Sequence, residues 1–287
     1  MAGNVGTYDG LYIEAPHCLL ARMHVGLDSA GSAAPTGRSG IYVMATAHNT
    51  TMVQVYQGNA QTTGIQSHAP FTTIIDAHTG MPPHRRYDVP PESAGNQHDG
   101  IRLLSTATDA VISRVFSGTN GRTGMNISGA RANLSDVTCG LLYGHRRQSV
   151  QQQLYISASA ANATLTGITI GYAGGVMLDI RAPNVVVTDA AIGVARQTGY
   201  FRGGDSHGVY WEGSNGSFTD GTVGNCAGTA LRLAADVTVS NIHVGITADG
   251  VAAPVALNGV AVLSAAAVPH IRNMTIGFCS GIGLTIL

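Results

Sequence analysis

Two carboxylates and an arginine occupy the same place in a repeated sequence unit. Asp179, Glu212 and Arg232 each stand four residues after a glycine that precedes a short strand-like run. If such runs stack as parallel strands ~4.8 Å apart, the two carboxyl groups lie roughly 5 Å apart. That spacing suits the nucleophile and acid–base pair of a retaining glycosidase, and Arg232 could neutralise the pair or bind an acidic sugar. A solvated ladder of charges on a sheet explains the same three residues without any chemistry.

The second residue of each run forms an outward-facing stripe, because side chains alternate across a strand. The stripe is rich in aromatic and amide side chains: Tyr12, Tyr42, Gln66, Arg102, Asn126, Tyr155, Met177 and Tyr210. Sugar rings stack on aromatic rings and form hydrogen bonds with amide and guanidinium groups. We therefore predict four carbohydrate-binding residues, Tyr42, Arg102, Tyr155 and Tyr210. The ordinary tyrosines of an exposed sheet are the alternative explanation.

A turn-strand-turn unit repeats along the chain and would position these residues. Successive units begin 20 to 36 residues apart, and the residue before the first strand is usually glycine. These positions are Gly10, Gly40, Gly64, Gly100, Gly124, Gln153, Gly175, Gly208, Gly228, Gly259 and Gly281. The short β-rich runs between Gly, Asn, Asp and Ser predict an all-β, single-stranded parallel β-helix, with three short strands per rung and about ten rungs. A β-propeller would need longer antiparallel strands with hairpin turns.

The longer units carry insertions, which we place at 22–39, 77–99, 142–152, 194–207 and 245–258. The chain then comprises an N-terminal lead-in at 1–9 and a β-helix domain at 10–287. Each insertion falls between the last strand of one rung and the first strand of the next, so the loops should emerge on one side. The 77–99 insertion is the largest, and as a polar surface loop it is a second place where function could reside.

The runs NVVVTDAAIG at 184–193 and DVTVSNIHVG at 236–245 carry a family resemblance. They resemble the repeats of pectate-lyase-like right-handed parallel β-helix proteins, especially the β-helix domains of bacteriophage tailspikes and minor tail proteins. The resemblance covers nearly the whole chain and implies a right-handed coil. It also implies a virion protein, a homotrimer in contact with other virion proteins, and contact with polysaccharide on the host surface. It implies no particular activity, because no complete catalytic signature of the family is present.

Asp205 and His207 form a further candidate catalytic pair in the turn that leads into Gly208. The order Asp205-Ser206-His207-Gly208 is similar to the Gly-His-Gly turn of polygalacturonases. The Asn-Thr-Asp and the paired Asp-Asp of that family are absent, which weakens the case for hydrolysis. A structural histidine in a turn is the alternative interpretation.

The amino-acid composition excludes several classes of binding partner. All 15 basic residues are arginine and the net charge is −1, which gives no electrostatic case for binding nucleic acid or an anionic membrane. The four cysteines form no CxxC motif and no zinc spacing, so no metal and no cofactor is predicted. The N-terminal MAGNVGTYDG lacks the features of a signal peptide, and no apolar run is long enough for membrane insertion.

Three functions follow as hypotheses. The first is a phage tail spike or minor tail protein, made in the host cytoplasm, that contacts a host surface polysaccharide. The second is a polysaccharide hydrolase or lyase that acts through Asp179, Glu212 and Arg232 or through the loop at 76–99. The third is a purely structural decoration protein of a capsid or tail. The absence of a capping helix before Gly10, and a chain that stops within a rung, lead us to expect further chain or another subunit at the ends.

Overall fold

Short first strands of successive units stack on one another in parallel. The computed structural model describes residues 8–27, 34–80, 95–140, 151–171, 173–194, 204–263 and 268–287. The first strands have three residues each and form an 11-stranded sheet, here the first sheet. In stacking order they are β1 (Leu11–Ile13), β3 (Ile41–Val43), β5 (Ile65–Ser67), β8 (Ile101–Leu103), β11 (Met125–Ile127), β14 (Leu154–Ile156), β16 (Leu178–Ile180), β18 (Val209–Trp211), β20 (Leu231–Leu233), β22 (Val260–Val262) and β24 (Leu284–Ile286).

The remaining strands form a second, 13-stranded parallel sheet that bends along its length. They are β2 (Leu19–Val25), β4 (Thr51–Gln57), β6 (Thr73–Ile75), β7 (His78–Thr79), β9 (Val111–Ser113), β10 (Phe116–Ser117), β12 (Asn133–Ser135), β13 (Thr138–Cys139), β15 (Thr164–Ile170), β17 (Val186–Ile192), β19 (Gly216–Val223), β21 (Val237–Val244) and β23 (His270–Ile276). A single residue of positive φ makes each bend, such as Asp189 at 55° or Asn241 at 57°. Asp and Asn tolerate this left-handed conformation better than other residues that carry a Cβ. The bend divides the second-sheet part of a rung into two segments. Together with the first strand this gives three strand segments per rung, as the sequence predicts.

The core is a set of apolar stacks inside the coil. The first and third residues of each first strand point inward, and between β3 and β20 they are almost all apolar and fully buried. Trp211 and Phe218 are the largest of the buried side chains, with ring centroids 6.4 Å apart. Because burying such a side chain contributes about 1.5–3 kcal/mol, these stacks hold the rungs in register. The outward second residues are therefore held in register as well.

The structure corrects the alignment of three units. Strand β16 begins at Leu178 rather than directly after Gly175. The Leu154 N–H donates to the Met177 carbonyl, and Met177 therefore takes the place of the repeat glycine. The same shift of two residues moves the strands predicted after Gly228 and Gly281. Asp179 is thus the second residue of its strand. The prediction that Asp179, Glu212 and Arg232 share one column was wrong, as was the place of Met177 in the outer stripe.

Several predicted insertions start later than the sequence suggests. Strand β2 continues to Val25, inside the predicted 22–39 insertion, and β7 lies inside the 77–99 insertion. Residues 28–33, 81–94, 142–150 and 195–203 of the predicted loops lie outside the described residues. In the 245–258 segment, Ile246 and Ala252 form an antiparallel bridge that closes a turn. Within the described ranges there is no α-helix, and hence no helix able to cross a membrane.

Candidate functional site

Four predicted site residues stand in one column on the outer face of the first sheet. Tyr155 pairs with Asp179, Asp179 with Tyr210, and Tyr210 with Arg232, each as the second residue of its strand. Parallel neighbours in a sheet are ~4.8 Å apart, so the column spans roughly 14 Å from Tyr155 to Arg232. We call these four residues, together with Arg181, the C-terminal cluster.

Asp179 is buried in this cluster although it lies on the outer face. Its exposed fraction is 1%, and both carboxylate oxygens have donors. Arg181 Nε donates to Oδ1 at 3.2 Å and Arg181 Nη2 donates to Oδ2 at 3.3 Å, while Gln152 Nε2 donates to Oδ2 at 3.3 Å. The bidentate geometry makes a strong, oriented ion pair. The Asp179 carboxylate is therefore occupied by the protein itself.

Arg181 links the two carboxylates that the sequence suggested as a catalytic pair. It reaches Glu212 Oε2 at 3.6 Å, and its guanidinium lies over the rings of Tyr155 and Tyr210, 5.8 and 5.7 Å from their centroids. Its hydrogen bond to Asp179 raises the pKa of the guanidinium, so it stays charged. Sequence reasoning missed Arg181, yet the signal existed. A residue two after Asp179 faces the same side of a strand.

Arg232 covers the other side of Tyr210. Its guanidinium carbon is 5.6 Å from the ring centroid, so Tyr210 has a guanidinium from each neighbouring rung. Both contacts are within the range of cation–π attraction. Arg232 Nη1 also lies 2.9 Å from His207 Nε2. No carboxylate of a described residue forms an ion pair with Arg232.

His207 lies in the turn before β18, with its ring nitrogens against two donors. The Thr229 main-chain N–H points to Nδ1 at 2.9 Å, opposite the Arg232 contact. Burial, and then the charge of Arg232, lower the pKa of His207, so the imidazole is neutral near pH 7. Asp205 is exposed, and its main-chain N–H donates to the Ala173 carbonyl. A catalytic role for either residue stays a prediction.

The other two predicted carbohydrate-binding residues form a second group on the same sheet. We call Tyr42, Gln66, His68 and Arg102 the N-terminal cluster. Tyr42, Gln66 and Arg102 are successive in the column, and His68 Nε2 lies 3.0 Å from the Tyr42 hydroxyl and 3.1 Å from Gln66 Nε2. Burial, then the charge of Arg102, lower the pKa of His68. Tyr12 stacks on Tyr42 with centroids 5.4 Å apart and ring planes 6° apart.

Asp99 is a buried acid beside this N-terminal cluster. It is 1% exposed, and neither carboxylate oxygen has a hydrogen bond of acceptable geometry, although the Thr123 hydroxyl still acts on it as a weak donor. Burial raises the pKa of Asp99, and the charges of Arg102 and Arg122 oppose that rise only in part. Among the described residues, no His, Cys, Asp and Glu side chains group as metal ligands would.

The chain is similar to three solved structures at low sequence identity. The Dettilon tailspike protein has a TM-score of 0.59 and 10% identity over 96% of this chain, which spans 61% of the tailspike's length. A double mutant of the periplasmic alginate epimerase AlgG has a TM-score of 0.58 and 10% identity, over 96% of this chain and 70% of its own. Pectate lyase Pel9A has a TM-score of 0.47 and 14% identity, over 94% and 70%.

At the level of sequence, no family model matches the chain, and no curated protein matches it. Identities this low establish the fold and leave function open. The all-parallel sheets, three strand segments per rung and shared architecture together give one conclusion. The chain is a right-handed parallel β-helix, as the sequence predicts.

Proposed function

We propose that this β-helix binds polysaccharide on the first sheet, with the C-terminal cluster as the binding face. The observation that carries the proposal is the alternation of Tyr155, Arg181, Tyr210 and Arg232 up one side of the coil. Tyrosine and arginine are among the side chains that contribute most of the binding energy at protein interfaces, and both can form hydrogen bonds with sugar hydroxyls. Here the register of the strands fixes them before any ligand arrives, which lowers the entropy lost on binding.

The geometry changes how a sugar would be bound. Both sides of the Tyr210 ring are covered by arginines, so a sugar ring cannot stack on it as the sequence suggested. Ring edges, the phenolic hydroxyl and guanidinium N–H groups are left to meet the ligand. Recognition would therefore run through hydrogen bonds to sugar hydroxyls, each contributing about 0.5–1.5 kcal/mol. Affinity then has to come from several sugars bound along the column.

Binding fits the cluster better than hydrolysis does. A glycosidase acid and nucleophile must both reach the glycosidic bond. Asp179 is buried and holds Arg181 in a bidentate pair, whereas the Glu212 side chain is 48% exposed on the far side of that arginine. The assignment of Asp179, Glu212 and Arg232 to catalysis remains a prediction, and it requires Arg181 to move.

A virion role is the biological setting that we propose for this binding. One structural neighbour is a tailspike protein, and a stacked β-helix of this kind gives an elongated, rigid surface. In this setting the chain is a homotrimeric tail spike or minor tail protein, attached to other virion proteins, that contacts a host surface polysaccharide. Sedimentation equilibrium tests the assembly, and a monomer at micromolar concentration would contradict it. A structural decoration protein would bind no polysaccharide at all.

The binding proposal is tested with immobilised bacterial capsular and cell-wall polysaccharides. Tyr210→Ala removes the ring between two arginines and should weaken binding about tenfold or more, as loss of one interface anchor does. Tyr56→Ala is the matched control, because Tyr56 is a half-buried tyrosine in β4, packed against His78 with ring centroids 5.1 Å apart and ring planes tilted by 49°. Equal binding by the two variants would remove the C-terminal cluster from the proposal.

A second candidate function is polysaccharide cleavage at the N-terminal cluster. A neutral His68 in contact with the Tyr42 hydroxyl, with the cationic Arg102 in the same column, has the groups needed for general acid–base catalysis. Chain shortening is measured by size-exclusion chromatography of the polysaccharide. Cleavage by wild type that His68→Gln abolishes would support this function. Cleavage that persists in His68→Gln would exclude His68 as the base.

A further inference from the structure

His207 is placed against two hydrogen-bond donors although it has one acceptor to offer. Arg232 Nη1 and the Thr229 main-chain N–H each lie 2.9 Å from a different ring nitrogen. A neutral imidazole has one acceptor nitrogen and one N–H, and an imidazolium has no acceptor. In every protonation state at least one of the two donors therefore faces an N–H. The Thr229 amide is fixed by the stacking of the rungs, so Arg232 is the group that can move.

Among the described residues, no other side chain is a partner of His207 that would settle this conflict. Among the described residues, Arg232 in β20 is the charged side chain that acts on His207. Gly228 packs against Nδ1 and has no side chain, and Thr229 acts on the ring through its backbone, whose hydrogen bond opposes the fall in the pKa of His207. Asp205 lies in the same turn and is exposed. Arg232 itself has no carboxylate partner in the described part of the chain.

We propose that His207 is a positioning residue that holds Arg232 beside Tyr210 until an anionic oxygen of a bound saccharide takes over the guanidinium. This inference rests on the proposed polysaccharide binding and adds a ligand chemistry, a carboxylate, sulfate or phosphate substituent on the sugar. This exchange gives both Arg232 and His207 better hydrogen-bond partners. Arg232 gains a charge-assisted hydrogen bond, and Nδ1 is free to accept from Thr229. The bound anion also offsets the charge of Arg232 beside the imidazole.

The exchange couples anion binding to proton uptake. The anion replaces the positive guanidinium of Arg232 as the group that faces Nε2, and a negative charge at that place favours the protonated imidazole. Anion binding must therefore raise the pH at which His207 titrates. By linkage, the affinity for the anion must rise as pH falls through that range.

The test uses inorganic sulfate as the probe, with chloride at equal ionic strength as the reference. Sulfate affinity and the ring nitrogen shifts of His207 are followed by NMR between pH 5 and 8. We expect sulfate to raise the titration pH of His207 in the wild type. Arg232→Gln should lower sulfate affinity about tenfold and remove the coupling, as loss of one charge-assisted hydrogen bond predicts.

Two variants separate positioning from simple folding effects. His207→Gln supplies an amide oxygen for Arg232 without titrating, so it should keep most of the affinity at neutral pH and lose its pH dependence. Arg131→Gln removes an arginine that pairs with Asp109 outside the cluster, and should change neither the sulfate affinity nor its pH dependence.

Sulfate affinity that is independent of pH, or equal in wild type and Arg232→Gln, would overturn the inference. Polysaccharide binding without the coupling would overturn it and leave the proposed function standing. Coupling to sulfate without polysaccharide binding would refute the proposed function, and would leave the exchange between His207 and an anion standing without a saccharide as its ligand.

Discussion

The buried acid Asp99 gives the sharpest prediction about stability. Its carboxylate is removed from water without a well-formed hydrogen bond, and burial raises its pKa above the ordinary 3.8. A group whose folded-state pKa is raised adds stability below pH 3.8, and that stability is lost as pH rises through the folded-state value. At pH 7 the wild type therefore carries the part of the desolvation cost of this carboxylate that Arg102 and Arg122 do not offset. We expect Asp99→Asn to relieve it.

The magnitude follows from the desolvation of one buried polar group. Leaving such a group without partners costs about 1–3 kcal/mol, and more when it is charged. The charges of Arg102 and Arg122 reduce that cost, so about 1–3 kcal/mol is the gain that we expect from Asp99→Asn at pH 7. For domains of roughly this size, each kcal/mol raises the melting temperature by about 2–4 °C. The assay is thermal denaturation followed by circular dichroism at pH 7 and at pH 3.

Asp109→Asn provides a control of opposite sign. The hydrogen bond from Arg131 lowers the pKa of Asp109, so that pair adds stability above pH 3.8 and loses it as pH falls. Asp109→Asn should lower the melting temperature slightly at pH 7 and have less effect at pH 3. A lower melting temperature for Asp99→Asn at pH 7 would refute the reasoning. An equal gain in melting temperature at pH 3 would also refute it, because Asp99 is then protonated in both the folded and the unfolded state.

Three further changes test the site and the core. Asp179→Asn should cost about 1–3 kcal/mol by chemical denaturation, since it removes the acceptor of a bidentate arginine; no change would mean that Arg181 finds another partner. Trp211→Ala should cost about 3–5 kcal/mol, because it empties the largest buried position. A loss under 1 kcal/mol would show that the coil collapses around the gap. Tyr210→Phe should keep the cation–π contacts and lose only hydroxyl-mediated glycan affinity, measured beside Tyr210→Ala.

The fold could be predicted because it depends on a pattern repeated many times. Apolar residues alternate in most first strands, and a Gly or small polar residue stands in most turns, so errors in single units do not change the architecture. The outer column was predictable only in part. Tyr155 and Tyr210 are second residues of their strands as predicted, whereas Asp179 and Arg232 join their column because β16 and β20 begin two residues later than the sequence suggests.

The register of β16 could not be predicted, because a methionine takes the place that a glycine holds in most units. Gly175 looks like the repeat glycine, yet Met177 occupies that position and is fully buried. Its side chain fits because it packs against Gly193 and Gly204, where even a Cβ would approach it at 3.0 and 3.2 Å. The space that the repeat glycine usually leaves is supplied by two glycines distant in sequence. A single-unit alignment does not contain that information, so Asp179 was assigned to the wrong column.

The orientation of the outer rings was also beyond the sequence, and it matters most for function. Strands stacked in register place like side chains over like, so aromatic faces turn toward neighbouring rungs rather than toward solvent. Tyr12 and Tyr42 show this with nearly parallel rings, and Tyr210 shows it between two arginines. An exposed tyrosine column on a parallel β-helix therefore offers edges and hydroxyls, and the cations between the rings become the strongest binding groups. In the C-terminal cluster Arg181 is fixed by Asp179, which leaves Arg232 as the arginine free to respond to a ligand.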